Sequence, residues 1–245
     1  MANRDTRAIL FLNPDACRRL RVEPEGRQLA RTQGLEVLSS DTPPEPLGFK
    51  AHGGWFEEGH MYLQDPFRRN IYVEASTAND LFAIQRQRVF VKLCQLLGAR
   101  SLEVKTVHVT KQEASREVDV GGGRGVEAKV QYAASTDDQL VQTLRTVNVF
   151  HGGVPDLRMA LQLLEDSHLE DDHEFRSLVD LMDGPNPLRE REYELTVTRS
   201  GQQQLSLAAS LKVPAYARLS IDYASKLRTR TEYKVRLRIA FGRES

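Results

Sequence analysis

Apolar and polar positions alternate in four stretches of the second half of the chain. Val126, Ala128, Val130 and Tyr132 alternate with Glu127, Lys129 and Gln131, and Tyr193, Leu195 and Val197 with Glu192, Glu194 and Thr196. Leu205, Leu207, Ala209, Leu211 and Val213 alternate with Ser206, Ser210 and Lys212; Tyr233, Val235, Leu237, Ile239 and Phe241 alternate with Lys234, Arg236 and Arg238. A period of two gives each stretch one buried and one wet face, as in a strand of an antiparallel sheet. Gly121-Gly122-Gly123-Arg124-Gly125, Ser200-Gly201 and Pro214 supply breaks where hairpins need turns.

A helical period precedes and interrupts these strands. From Leu81 to Leu97, Phe82, Val89, Leu93, Leu96 and Leu97 form one stripe widened by Ile84 and Val91, while Arg86, Arg88, Lys92 and Gln95 take the polar side. Ser76, Thr77 and Asn79 offer N-caps, and Gly98 fits the left-handed position that ends helices. A second helical stretch covers Pro155–Leu164 and Asp171–Met182, closed by Gly184 and Pro185. Strands, helices and strands again, without a βαβ rhythm, predict an α+β fold: an antiparallel twisted sheet covered on one face by helices.

The first 70 residues are less regular. Arg7–Asn13 reads as a short buried strand ended by Pro14, and the Arg-rich stretch Cys17–Ala30 as a weak helix. The Pro-rich stretch Ser39–Pro46 is the natural boundary, because it supports neither helix nor ladder. Phe49, Trp55, Phe56, Tyr62 and Phe67, scattered in a polar setting, are expected to pack a lid or subdomain onto the core. Residues 1–70 are thus expected to form an irregular N-terminal segment or small subdomain, and 71–245 a sheet domain with a helical insert over 155–183.

Composition removes several classes of function. The chain has 245 residues, 34 basic against 34 acidic, so no bulk charge draws it to nucleic acid or anionic lipid. Its longest apolar run, Ala8–Leu12, is far below the ~20 residues that cross a bilayer, and the N-terminus has no secretory apolar region. Cys17 and Cys94 stand alone, without metal-binding spacing, which fits a reducing cytoplasm and argues against a disulfide framework or structural zinc.

Five patterns carry candidate chemistry. Asp119 followed by Glu127-Ala128-Lys129 resembles the acid and E-x-K pair of restriction-endonuclease-type enzymes. Residues i and i+2 of one strand project to one face, where carboxylates hold Mg²⁺ and the lysine steadies the attacking water. The same pair is also what the wet face of any amphipathic strand shows. His52-Gly53-Gly54 and His151-Gly152-Gly153 echo the oxyanion loop of esterases, but the required G-x-S-x-G elbow is missing and both read as turns. The acidic run from Glu165 to Glu174 lacks the glycine of a calcium loop and reads as a solvated face beside a helix N-terminus. Arg228, Arg230, Lys234, Arg236 and Arg238 form a basic stripe suited to nucleic acid or an acidic partner; if Glu190, Glu192 and Glu194 lie opposite, the stripe is neutralised internally. Finally, long hairpins at 101–133 and 188–241 around a helical insert are loosely similar to the sheet of perforin-like and gasdermin-like proteins, whose strands extend into a membrane barrel. No signature residues carry that likeness, and charges crowd one strand face.

The expectation is therefore a cytoplasmic α+β protein without cofactor or metal, acting as a non-enzymatic interaction or assembly module with a protein partner or as a homo-oligomer. The alternatives are a Mg²⁺-dependent nuclease using Asp119, Glu127 and Lys129, and a membrane-inserting sheet.

Overall fold

The computed structural model describes residues 6–42, 44–113, 139–184, 187–211, 213 and 229–242, without the side chains of 45, 110–113 and 229–231. In chain order the elements are β1 (Ala8–Leu12), α1 (Pro14–Val22), α2 (Pro24–Ala30), β2 (Leu35–Ser39), β3 (Lys50–Ala51), β4 (His60–Asp65), β5 (Arg68–Glu74) and α3 (Ala78–Leu96). There follow β6 (Ala99–Glu113), β7 (Val147–Val149), α4 (Leu157–Asp166), α5 (His173–Met182), β8 (Glu190–Thr196), α6 (Gln202–Ser210) and β9 (Thr229–Phe241). The fold is α+β with mostly antiparallel sheets. The chain divides into two compact units, one of residues 1–82 and 199–230, the other of 83–198 and 231–245. The division falls at Phe82, not in the Pro-rich stretch, and the C-terminal part contributes to both units.

In the first unit, residues expected to be irregular hold a five-stranded sheet in the order β2-β1-β4-β5-β3. β1 is buried throughout, pairing β2 in parallel and β4 antiparallel. Its parallel step to β2 runs through α1 and α2, so a βαβ unit is present after all. Successive side chains of β1, all apolar, point to opposite faces and serve two cores. Ala8, Leu10 and Leu12 pack with Leu20 of α1, Leu29 of α2 and Phe82, whereas Ile9 and Phe11 meet Phe49, Tyr62 and Tyr72 on the other face. Both faces are thus covered, and the aromatics other than the exposed Trp55 pack inward: Phe56 lies 5.6 Å from Phe11 and 4.7 Å from Tyr62 between ring centres. The β4–β5 turn is set by buried Asp65, which accepts the Phe67 N–H at 2.9 Å and two bonds from Arg68.

Residues 205–210, expected as the start of a strand running to Val213, belong instead to the helix α6. Gln202-Gln203-Gln204-Leu205-Ser206-Leu207-Ala208 contains good helix formers and no β-branched residue, so propensity overrules a short alternation. Gln204 and Ala208, one turn apart, are its buried positions. Gly201 admits the helix because a β-carbon there would overlap the Phe82 ring.

The second unit carries a sheet in the order β7-β6-β9-β8. Tyr193 and Leu195 of β8 and Val235, Leu237 and Ile239 of β9 turn their side chains inward. Residues 83–96 of α3, together with α4 and α5, belong to the same unit. α3 ends at Gly98, whose φ of 79° is the left-handed value expected of its terminator.

One polar expectation on α3 is overturned. Arg86 faces inward, fully buried, with its guanidinium on Asp172 at 2.8 Å and Glu174 at 2.5 Å and 4.6 Å from the Phe175 ring centre. Asp172 also caps α5 by accepting the Glu174 N–H. Two members of the acidic run are therefore structural partners of a buried cation, not part of a solvated face. Removing one side of such a pair leaves an uncompensated charge and costs about 3–5 kcal/mol.

Candidate interaction surface

The residues expected to hold a metal, Asp119, Glu127 and Lys129, lie outside the described residues, as do the strand 126–132 and the glycine run 121–125. Arg228 lies outside them as well, and Arg230 sits on β9 without a described side chain.

Of the rest of the basic stripe, Arg236 and Arg238 meet acids across the sheet, and Lys234 lies beside one on its own strand. β8 and β9 pair antiparallel with Glu192 opposite Arg238, Glu194 opposite Arg236 and Thr196 opposite Lys234. Arg238 Nε donates to Glu190, Arg236 lies 3.9 Å from Glu194, and Lys234 lies 3.6 Å from Glu232. The guanidinium of Arg238 holds the Glu190 carboxyl below the usual carboxylate range, and the Arg238 pKa rises in turn. Lys234, Arg236 and Arg238 are thus engaged by acids of their own sheet, which leaves a phosphate backbone less to attract.

The opposite edge of the same sheet is built differently. Val104 donates its N–H to Thr146 at 3.0 Å and Phe150 donates to Arg100 at 2.7 Å, in register with Leu102 opposite Asn148. Thr146, Asn148 and Phe150 therefore spend their backbone groups on β6, and those of Val147 and Val149 point off the outer edge. Among the described residues no strand takes them up. The side chains are equally uncovered: Val147 is 70% exposed, Val149 79% and the following Val154 75%. Residues 146–155 contain no Asp, Glu, Lys or Arg, in a chain that is 28% charged.

This segment is pinned, not loose. A β-carbon on Gly152 (φ 68°) would overlap the Gly242 carbonyl, and one on Gly98 would overlap the Gly153 carbonyl. Asp156 donates its N–H to Leu96 at 2.8 Å and its carboxylate caps α4 through Met159. Gly152 of His151-Gly152-Gly153 thus serves close backbone packing, whereas a β-carbon on Gly153 would meet open space. His52-Gly53-Gly54 is a turn, closed by the Gly54 N–H on Ala51 at 3.1 Å.

Sequence reasoning overlooked β7 because three residues are too few to show a period. The usable signal was the charge-free run itself, bounded by Arg145 and Asp156.

Free Cys17 and Cys94 are both buried, and burial pushes both thiols up, away from the reactive thiolate. Among the described residues no cluster of His, Cys, Asp and Glu is arranged to hold a metal ion, and no helix is long and apolar enough to cross a membrane. Fold and surface together define a two-unit α+β protein whose second sheet, among the described residues, has one charged and one apolar edge. Compared with known proteins, the chain gives no significant match to any family model, curated protein or solved structure.

Proposed function

We propose that this chain is a non-enzymatic assembly module that accepts a strand of a protein partner on the outer edge of β7. The carrying observation is the contrast within one sheet: exposed glutamates line β8, while β7 presents free backbone groups flanked by exposed valines. A bare, uncharged edge templates pairing with another chain, and natural sheets normally blunt such edges with charge. Pinning by Gly98 and Gly152 supports the reading, since a fixed backbone loses less conformational freedom on binding. The two free thiols fit residence in a reducing cytosol. The nuclease reading depends on Asp119, Glu127 and Lys129, which lie outside the described residues, and no observation raises it to a second proposal.

A photo-crosslinking phenylalanine analogue placed at Val149, and separately at Glu192, tests the reading in cells expressing the full chain. Adducts with protein are expected from position 149 and not from 192. Equal yields from the two positions, or none from 149, would overturn it.

A further inference from the structure

Resting on that reading, we infer that the strand accepted at this edge is β7 of a second copy of this chain, paired antiparallel about a two-fold axis through Asn148. The register follows from the backbone. The groups on the outer edge belong to Val147 and Val149, two residues apart and centred on Asn148. A two-fold axis there sets Val147 opposite the second copy's Val149, and Val149 opposite its Val147. Both are hydrogen-bonded pairs, so all the outward N–H and C=O groups of this strand are satisfied together.

The side chains agree with that register. Each valine meets a valine, a favourable β-branched pair. Thr146 would face Phe150 and Arg145 would face His151, so no Asp, Glu, Lys or Arg meets its like between 145 and 151. The β8 edge fails the same test, because Glu190, Glu192 and Glu194 would confront one another about an axis through Glu192. Self-pairing is thus open at one edge of the sheet and opposed at the other. The short strand makes the association concentration-dependent.

The axis also predicts one covalent contact. Asn148 would face its own copy in a non-hydrogen-bonded pair, with Cα atoms about 4.5 Å apart, inside the span of about 4.4–6.8 Å that a disulfide bridges. Full-length Asn148→Cys under mild oxidant is expected to form a covalent dimer, and the matched edge variant Glu192→Cys is not; Cys17 and Cys94 are buried and serve as internal controls. In sedimentation velocity, the unmodified chain should shift from monomer to dimer with rising concentration. Combining Val147→Lys with Val149→Lys sets lysine opposite lysine twice and should weaken that shift about tenfold or more.

A chain monomeric at every concentration, or Asn148→Cys oxidising no faster than Glu192→Cys, overturns the inference. The two levels separate cleanly. Adducts from position 149 with other proteins and never with itself refute self-pairing and keep the partner-strand reading, whereas no adduct at all refutes both.

Discussion

β7 and β8 are the outer strands of one sheet among the described residues, and they solve the same problem in opposite ways. β8 carries Glu190, Glu192 and Glu194 on its wet face, and Glu190 and Glu194 reach across to Arg238 and Arg236 on β9. An approaching strand would meet a row of charge, which is the usual defence of an edge. β7 has no such defence. Its valines stand in solvent and its outer backbone groups point away from β6, while just beyond it Gly152 packs on Gly242 and Gly153 on Gly98. Exposure alone is therefore a poor guide. Trp55 is 68% exposed too, yet its indole is bonded to Glu57 and it lies outside any strand. What marks β7 is the coincidence of apolar side chains, free backbone and rigid support.

The largest effect should come from breaking that support. Gly152→Ala forces a β-carbon onto the Gly242 carbonyl at a positive φ, and Gly98→Ala does the same against Gly153. Each should cost roughly 2–4 kcal/mol in denaturant titrations. Amide exchange at Phe150 and Asp156 should accelerate before that of β8. Gly53→Ala is the control: it meets open space and has no positive φ, so a comparable loss there would mean the glycines carry no special packing role.

Next in size is the transfer of charge from one edge to the other. Val149→Lys gives β7 the protection that β8 already has, and association should fall about tenfold while folding stability moves by no more than about 0.5 kcal/mol. A variant that associates as well as the unmodified chain would remove the contrast between the edges. The reverse change, Glu194→Lys, places a lysine opposite Arg236. Both positions are half exposed, so the expected loss is about 0.5 kcal/mol and fades as salt is added.

How much of this was legible in the sequence depends on length and burial. β8 and β9 alternate from Glu192 to Val197 and from Tyr233 to Phe241, long enough to fix the wet face of each, so the charge pairing of Glu190 to Glu194 against Lys234 to Arg238 follows once the two strands are set side by side. The N-terminal sheet was hidden because β1 is covered on both faces and shows no alternation, while α1 buries Ala16, Cys17 and Leu20 beneath a coat of arginines. Arg86 was misplaced for a related reason: a charged residue on a helix is assigned to water unless its partners are known, and Asp172 and Glu174 lie 86 and 88 residues away. The apolar edge was harder still. β7 is a three-residue strand, and its character depends on neighbours on β6 that the local sequence does not reveal.

The smallest effect lies on the protected edge and tests whether its ladder exists in solution. Arg238 depresses the Glu190 pKa in the folded chain, mainly through a hydrogen bond and further through its charge. A depressed carboxylate stabilises the fold above its unfolded pKa, and that contribution disappears as pH falls through the lower, folded value. The pair is half exposed at the sheet surface, so the gain is small, and the readout should be the titration itself. Followed by carbon-detected NMR, Glu190 should titrate at lower pH than ordinary glutamates, and Arg238→Gln should return it to their range. Salt should narrow the gap as well, since it screens exposed charges. If Glu190 titrates like an unpaired glutamate in the unmodified chain, the cross-strand bond is not held in solution. β8 would then be defended by loose carboxylates, which repel a second strand through their like charge without being held in place by β9.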